Sequence, residues 1–357
     1  MKKVFVTLII IGLLGLILAG SYVWQLSQPV SQSDGMIVFE VAPGTTLKWV
    51  AKKLAERNLI RSARFFEWYV RSLGRAQALR AGEYAIPANV KIKELVSILS
   101  SGRSVEYVLT IQEGLNRFEI ASLIEQQHFG SSTEFLKLTE DPELIKKLIG
   151  EARPSLEGYL FPDTYHLTKY TGLTGLIEMM VVKFNDHFND LKMLNNWNRA
   201  GLSRHALVVL ASIVEKETGA PEERPIISSV FHNRLQKGMR LQTDPTVIYG
   251  LWEANGHRAQ NITKKDLMSP NRYNTYTFSG LPFGPISNPG ADALKAAGLP
   301  AETSYLYFVS RNNGTHVFSS DYKGHRNAVQ KFQKNRSERI GKSWRDLKKR
   351  NGESSVQ

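Results

Sequence analysis

The chain has 357 residues, a formal net charge of +13 and no cysteine. That length admits two or more domains with cores of their own. The missing cysteine excludes disulfides, thiol nucleophiles and thiolate-bound zinc or iron–sulfur sites, while the positive charge favours an anionic partner such as nucleic acid, a phospholipid surface or an acidic polymer.

In chain order, Lys2 and Lys3 precede an uncharged run, VFVTLIIIGLLGLILAGSYVW, from Val4 to Trp24. As a helix it would be roughly 30 Å long, the thickness of a bilayer core. Tyr22 and Trp24 stand where interfacial aromatic residues would, and the following QLSQPVSQSDG carries no Lys or Arg. The positive-inside rule then places residues 1–3 in the cytoplasm, a single-pass span at 4–24 and the remainder outside. Ala19-Gly20-Ser21 would suit signal cleavage, but the apolar run continues past it to spanning length. Ser21 stands where a lipidated cysteine would be, which excludes lipidation.

Residues 25–35 read as a polar linker. The next stretch, IVFEVAPGTTLKWVAKKL, predicts a strand around Val38 and Glu40, a turn at Pro43-Gly44, and a helix capped by Thr45 or Thr46. That helix has one apolar face of Leu47, Val50, Ala51 and Leu54. LTIQEGLNRFEIASLIEQQH repeats the pattern about seventy residues on, with Gly114 in the place of Gly44 and Ile120, Ala121 and Ile124 on the buried face. Each copy is followed by a Gly-Tyr element, AGEYAIP and LEGYLFP. The first copy resembles the opening of a LysM module, which implies a LysM-like fold and, less directly, binding of N-acetylglucosamine polymers.

From about Ser155 the texture changes to aromatic, turn-rich sequence. GLIEMMVVKFNDHFNDLKMLNNW predicts a helix, as does the stretch from about Ser203 to Thr218. RPIISSVFHNRLQKGM predicts another, ending at Gly238. The segment SPNRYNTYTFSGLPFGPISNPG is loop-rich, and GADALKAAG is a short Ala-rich helix. SYLYFVSR and THVFS form two strands joined at Asn312-Asn313-Gly314. The expected class is α+β. The expected organisation is a LysM-like region at 36–154, a catalytic domain at 155–332 and a basic tail at 333–357.

Most enzyme signatures are absent: no phosphate-cradling Gly-rich loop, no H-E-x-x-H, no G-x-S-x-G. Ser320-Asp321-Tyr322-Lys323 matches S-x-x-K without the motifs that accompany it in penicillin-binding enzymes. The histidines and methionines are scattered, so neither a metal nor a cofactor is expected. No RRM, zinc-finger or helix-turn-helix pattern supports nucleic acid.

Carboxylates remain. The apolar run VLASIV stops in Glu215 and Glu217, two apart on one helix, so their side chains diverge by roughly 200°. Glu217 looks back on Val214, Ile213 and Leu210, an apolar stripe where desolvation raises a carboxyl pKa. Glu215 looks back on Ser212 and Ala211, toward a polar groove or a neighbouring base. Three functions stay open on these residues: a glycosidic-bond-cleaving enzyme with one acid, a hydrolase pairing Glu217 with Asp244, and a non-catalytic cell-wall-binding scaffold.

ASIVEKET, SVFHNRLQKGMRLQTDPTVIYG, YNTYTFSGLPFGPISNPGADALKAA and YLYFV together closely resemble the YceG-like family of endolytic peptidoglycan transglycosylases. The resemblance runs from the N-terminal span to about Phe332. It implies cleavage of the β-1,4 bond between N-acetylmuramic acid and N-acetylglucosamine inside glycan strands, without water, leaving 1,6-anhydro ends. It implies Glu217 as the acid and then base, followed by Thr218 as in lytic transglycosylases. Glu215, Thr218, Gln242, Asp244, Thr246, Tyr249, Asn274 and Tyr276 lie in the matching motifs and are candidates for contact with sugar hydroxyls and acetamido groups. The implied setting is the cytoplasmic membrane with the catalytic part facing the wall, beside the peptidoglycan synthases, where strand length would be limited.

Overall fold

The structure is a computed structural model that describes residues 2–30, 35–217, 219–259 and 261–335, without the side chains at 2–9 and 11. It is α+β, with strands gathered into two-stranded sheets among the described residues. The chain divides into two compact units, one of residues 1–109 and 166–171, the other of residues 110–165 and 172–357.

The first unit contains α1 (Lys2–Ser27), β1 (Met36–Val41), α2 (Leu47–Glu56), α3 (Ala63–Ser72), β2 (Gly82–Pro87) and α4 (Ile92–Ser101). The expected span at 4–24 falls within α1, whose side chains at 4–9 and 11 are not described. Among the described residues no helix is long and apolar enough to cross a membrane. β1 and β2 pair antiparallel, with Phe39 opposite Tyr84. Period-2 alternation turns Phe39 and Val41 into the core and leaves Val38 and Glu40 outside. Gly44 takes the left-handed φ of +76° that a side chain would resist. Thr46 then caps α2 by accepting from the Trp49 N–H at 3.3 Å. The predicted face of Leu47, Val50, Ala51 and Leu54 is buried against Phe66, Leu95 and Leu99.

β3 (Tyr107–Thr110) leads into the second unit, which holds α5 (Arg117–Gln126), α6 (Ser132–Thr139), α7 (Pro142–Ile149) and α8 (Gly172–Lys192). β4 (Thr164–Leu167) pairs with β3. The second strand–turn–helix stretch therefore enters this unit. Its turn repeats the first: Gly114 has φ +77°, and Asn116 with Glu119 forms a capping box at the start of α5. Ile120, Ala121 and Ile124 are buried as their spacing requires.

α9 (Arg204–Glu217) is the spine of the unit, buried at every position from Leu207 to Val214. It packs against α10 (Arg224–Gln236), α11 (Asp244–Asn255) and α13 (Ala291–Gly298), with α12 (Lys264–Met268) just before the loop-rich segment that leads to α13. Ser212, buried inside α9, fastens part of that segment. Its hydroxyl accepts from the Ile286 N–H at 3.1 Å, and its carbonyl accepts from the Ser287 hydroxyl at 3.1 Å. β5 (Tyr307–Ser310) and β6 (His316–Ser319) form the predicted antiparallel hairpin, with Asn312 and Gly314 both at positive φ. α14 (Tyr322–Val329) follows. The Asp-Pro-Thr at 244–246 opens α11. Pro245 stands at the first turn, where a missing N–H costs nothing. Most of the basic tail, 336–357, lies outside the described residues.

Candidate active site

α9 delivers Glu217 at its last turn, half-buried, beside the loop that precedes α11. The Thr243 hydroxyl donates to its Oε1. Burial pushes the Glu217 carboxyl up to about 7. The Thr243 hydrogen bond opposes that shift, the Asp244 charge adds to it, and the Arg234 charge opposes it. A carboxyl raised toward neutrality suits a group that must give a proton and take one back.

Thr243 is held by a buried set of threonines. Its N–H donates to Thr275 Oγ1 at 3.1 Å, and its carbonyl accepts from the Thr246 hydroxyl at 2.7 Å. Thr246 and Thr275 share a further bond at 2.9 Å. Arg234 holds the other end of this loop. Its guanidinium donates to the carbonyls of Leu306 at 2.7 Å, Leu241 at 2.8 Å and Arg240 at 3.1 Å. Those bonds steady Gln242, which has a left-handed φ of +55° that side chains rarely adopt. Sequence reasoning missed both Thr243 and Arg234 as parts of this site. The only signal available was their position inside RLQTDPT and HNRL, the stretches that carry the resemblance.

The other candidates divide by burial. Gln242 and Asp244 are exposed and Tyr276 is half-buried. The Tyr276 hydroxyl donates to Asp244 Oδ1 at 2.6 Å, so these two form one side of the mouth. Thr246 and Asn274 are buried and fully engaged inside the protein. The Asn274 amide donates to the carbonyls of Asp266, Leu267 and Ser269, and its oxygen accepts from the Tyr276 N–H. They support the loop and do not form a groove wall, which corrects the expectation for both. Tyr249 is also corrected: it is buried, and its hydroxyl donates to Glu157 at 2.9 Å. Thr218 lies outside the described residues.

Glu215 is nearly as enclosed as the residues of the apolar stripe, with its side chain 5% exposed. Burial therefore does not separate the two glutamates as their helical faces suggested; pairing does. Glu215 Oε1 lies 3.0 Å from Arg224, the neighbouring base, and Oε2 accepts from the Gly290 N–H at 3.0 Å. A Cβ at Gly290 would stand 1.9 Å from the Glu113 carboxylate, so the close approach requires glycine or a shift of Glu113.

One more carboxyl is pushed to about 7, that of Glu157, which sequence reasoning did not single out. It is wholly buried, and burial is again the main cause. Its oxygens accept from the Arg117 N–H, the Asn288 amide at 2.9 Å and the Tyr249 hydroxyl. These partners are all donors from within the fold, so Glu157 ties elements together and has no open side for a reactant.

The Thr243 bond can be tested directly. Because that bond lowers the Glu217 value, Thr243→Val should raise it above about 7. Carboxyl-carbon NMR titration of the full chain would read the change, and an unchanged or lower midpoint would contradict the arrangement.

The fold and site thus define an α+β protein with one poised acid at the end of a buried helix. The YceG-like family model matches residues 39–331, and the chain belongs to that family. It is 32% identical over 342 residues to the endolytic murein transglycosylase of Bacillus subtilis, a match covering 91% of this chain and 93% of that protein. It is 26% identical over 314 residues to the endolytic murein transglycosylase of Streptococcus pneumoniae, covering 78% of this chain and 55% of that one. The crystal structure of a YceG-like protein from Listeria monocytogenes is similar with a TM-score of 0.56 and 31% identity, covering 82% of this chain and 98% of that chain.

Proposed function

We propose that this chain is a membrane-anchored endolytic transglycosylase of peptidoglycan, with Glu217 as its catalytic residue. The observation that carries the reading is the Glu217 carboxyl, pushed to about 7 and hydrogen-bonded to Thr243 beside an exposed mouth of Gln242 and Asp244. The names of the relatives point to the same substrate.

In this reading Glu217 protonates the oxygen of the β-1,4 bond between N-acetylmuramic acid and N-acetylglucosamine as the bond to C1 breaks. The muramoyl 6-hydroxyl then closes on C1 and returns its proton to Glu217. No water is consumed, and the strand is left with a 1,6-anhydro end. The substrate supplies the second reacting group, so one carboxyl suffices, whereas an ordinary hydrolase needs two. Gln242, Asp244 and Tyr276 would meet the sugars at the mouth. Limiting the length of nascent strands beside the synthases follows from an endolytic cut at the membrane surface. The anchoring itself rests on the uncharged run from Val4 to Trp24 behind Lys2 and Lys3. The strand–turn–helix of the first unit, with its left-handed Gly44 and capped α2, supports the LysM-like reading of that unit.

Digestion of purified peptidoglycan, followed by mass spectrometry, tests the chemistry. Anhydro-ended fragments are expected from internal cuts. Reducing ends, heavier by one water, would instead assign a hydrolase using Asp244 with Glu217, and binding without new fragments would leave a scaffold. The intact chain should sediment with membranes; its release by high salt alone would refute the anchor.

A further inference from the structure

The second unit carries a groove that the proposed reaction does not use. It has a volume of about 490 Å³ and is formed by three elements. α5 contributes a stripe at helical spacing that includes Ser122 and Gln126, with Gln127 just beyond its end. The extended segment after β3 contributes Gln112, and α11 contributes Trp252.

We infer that this groove binds N-acetylated sugar residues of the glycan strand, at a subsite distinct from the mouth beside Glu217. The inference rests on the transglycosylase reading and adds to it where the strand is held.

The chemistry of the lining selects the ligand. Gln112, Ser122, Gln126 and Gln127 are all exposed, so their amides and hydroxyl are available to a ligand. Primary amides both donate and accept, which matches hydroxyls and acetamido groups. Trp252 supplies a flat apolar surface for a sugar ring, and it is held in place by stacking on Phe118 with ring centroids 5.4 Å apart. Among the described residues no lysine or arginine lines the groove. The one carboxylate there, Glu119, is occupied by the Asn116 N–H at 3.0 Å and faces Arg258 at 3.6 Å. A stem peptide or a phosphate-bearing polymer, both rich in anionic groups, would meet as counter-charge among the described residues only Arg258, which already faces Glu119.

The position of the groove also fits a long polymer. Trp252 and Asp244 lie on the same helix, eight residues and therefore about 12 Å apart along its axis. The segment that supplies Gln112 continues into Glu113, which lies 3.4 Å from the Arg224 that pairs with Glu215. A strand held in the groove is thus near the end of α11 that carries Asp244 at the mouth, without occupying it. Such a grip favours substrates long enough to fill both places, as expected of an enzyme that cuts within strands.

The test uses the full-length chain carrying Glu217→Gln, so that bound strands stay intact, and glycan strands stripped of their peptides as probe. Adding Gln112→Ala with Gln126→Ala removes two exposed amides without touching the core. The expected result is a rise in Kd of about fivefold or more, and Trp252→Ala should raise it by roughly tenfold. Unchanged affinity in the double-glutamine variant would overturn the inference. So would a loss seen only with peptide-bearing fragments, which would make the groove a peptide site. Cleavage is read separately in chains that keep Glu217. If anhydro ends form while the glutamine variants bind stripped strands normally, the groove assignment falls and the proposed reaction stands. If the variants lose strand binding but the chain with Glu217 cuts nothing, the reverse holds.

Discussion

Glu217→Gln should abolish strand cleavage by about a hundredfold or more while making the protein more stable at alkaline pH. The first effect is the usual weight of general acid–base catalysis. Glutamine keeps the shape of the side chain and can still accept from Thr243, but it cannot cycle a proton. The second effect follows from linkage. The folded-state value of about 7 lies above the 4.5 expected of an unperturbed glutamate. A raised carboxyl contributes its full stability below about pH 4.5 and loses it as pH rises through 7, because the folded state must then bury a charge. The full loss is roughly 3 kcal/mol, from 1.36 kcal/mol per unit. The glutamine variant lacks that loss, so its advantage over the parent should be small at pH 5 and largest near pH 8. Urea unfolding at the two pH values measures it, alongside the rate of anhydro-end formation. A variant that cuts at near-normal rate, while Glu215→Gln is inactive, would reverse the roles of the two glutamates.

Glu157→Ala should have the opposite signature. Glu157 is also pushed to about 7 by burial, yet its oxygens are filled by donors from α5, α11 and the segment before α13. Truncation leaves the Arg117 N–H, the Tyr249 hydroxyl and the Asn288 amide without their acceptor in a closed interior. It also strips the buried Arg117 guanidinium of a carboxylate 4.0 Å away. The expected cost is about 3–5 kcal/mol, as for breaking other buried ion pairs. For a unit of this size the melting temperature should fall by roughly 10 °C. Activity assayed well below that temperature should fall much less than in Glu217→Gln. A loss of cleavage with an unchanged melting curve would mean that Glu157 takes part in the chemistry.

These two carboxyls show what a sequence discloses and what it withholds. The end of α9 was legible because an apolar stripe at steps of three, four and seven has only one helical reading. The turns at Gly44 and Gly114 and the Asn-Asn-Gly hairpin were legible because each depends on the backbone preferences of a few adjacent residues. The pairing of Glu215 with Arg224 joins residues nine apart across the break between α9 and α10, and local periodicity does not encode it. Thr243 meets Glu217 from 26 positions away. Glu157 sits in LEGY, a turn whose composition gives no hint that its carboxylate is the most enclosed in the protein's described interior. Thr246, Tyr249 and Asn274 were placed on the groove by their position in the matching motifs and by residue type. Their burial follows from the close packing of α11 and its neighbouring loop, which residue type does not report.

The threonines behind Glu217 have a consequence for how the site tolerates a change of protonation. Each hydroxyl has one hydrogen to give. Thr246 gives its own to the Thr243 carbonyl, so in the bond between Thr246 and Thr275 the hydrogen must come from Thr275. Both of those rotors are thereby fixed. The Thr243 hydroxyl is under no such demand. It can point its hydrogen at a Glu217 carboxylate, or turn and offer a lone pair to the protonated acid, with no heavy atom displaced. The neighbourhood of the carboxyl is thus rigid in its frame and free in one torsion, which keeps reorganisation small at both moments when the proton moves.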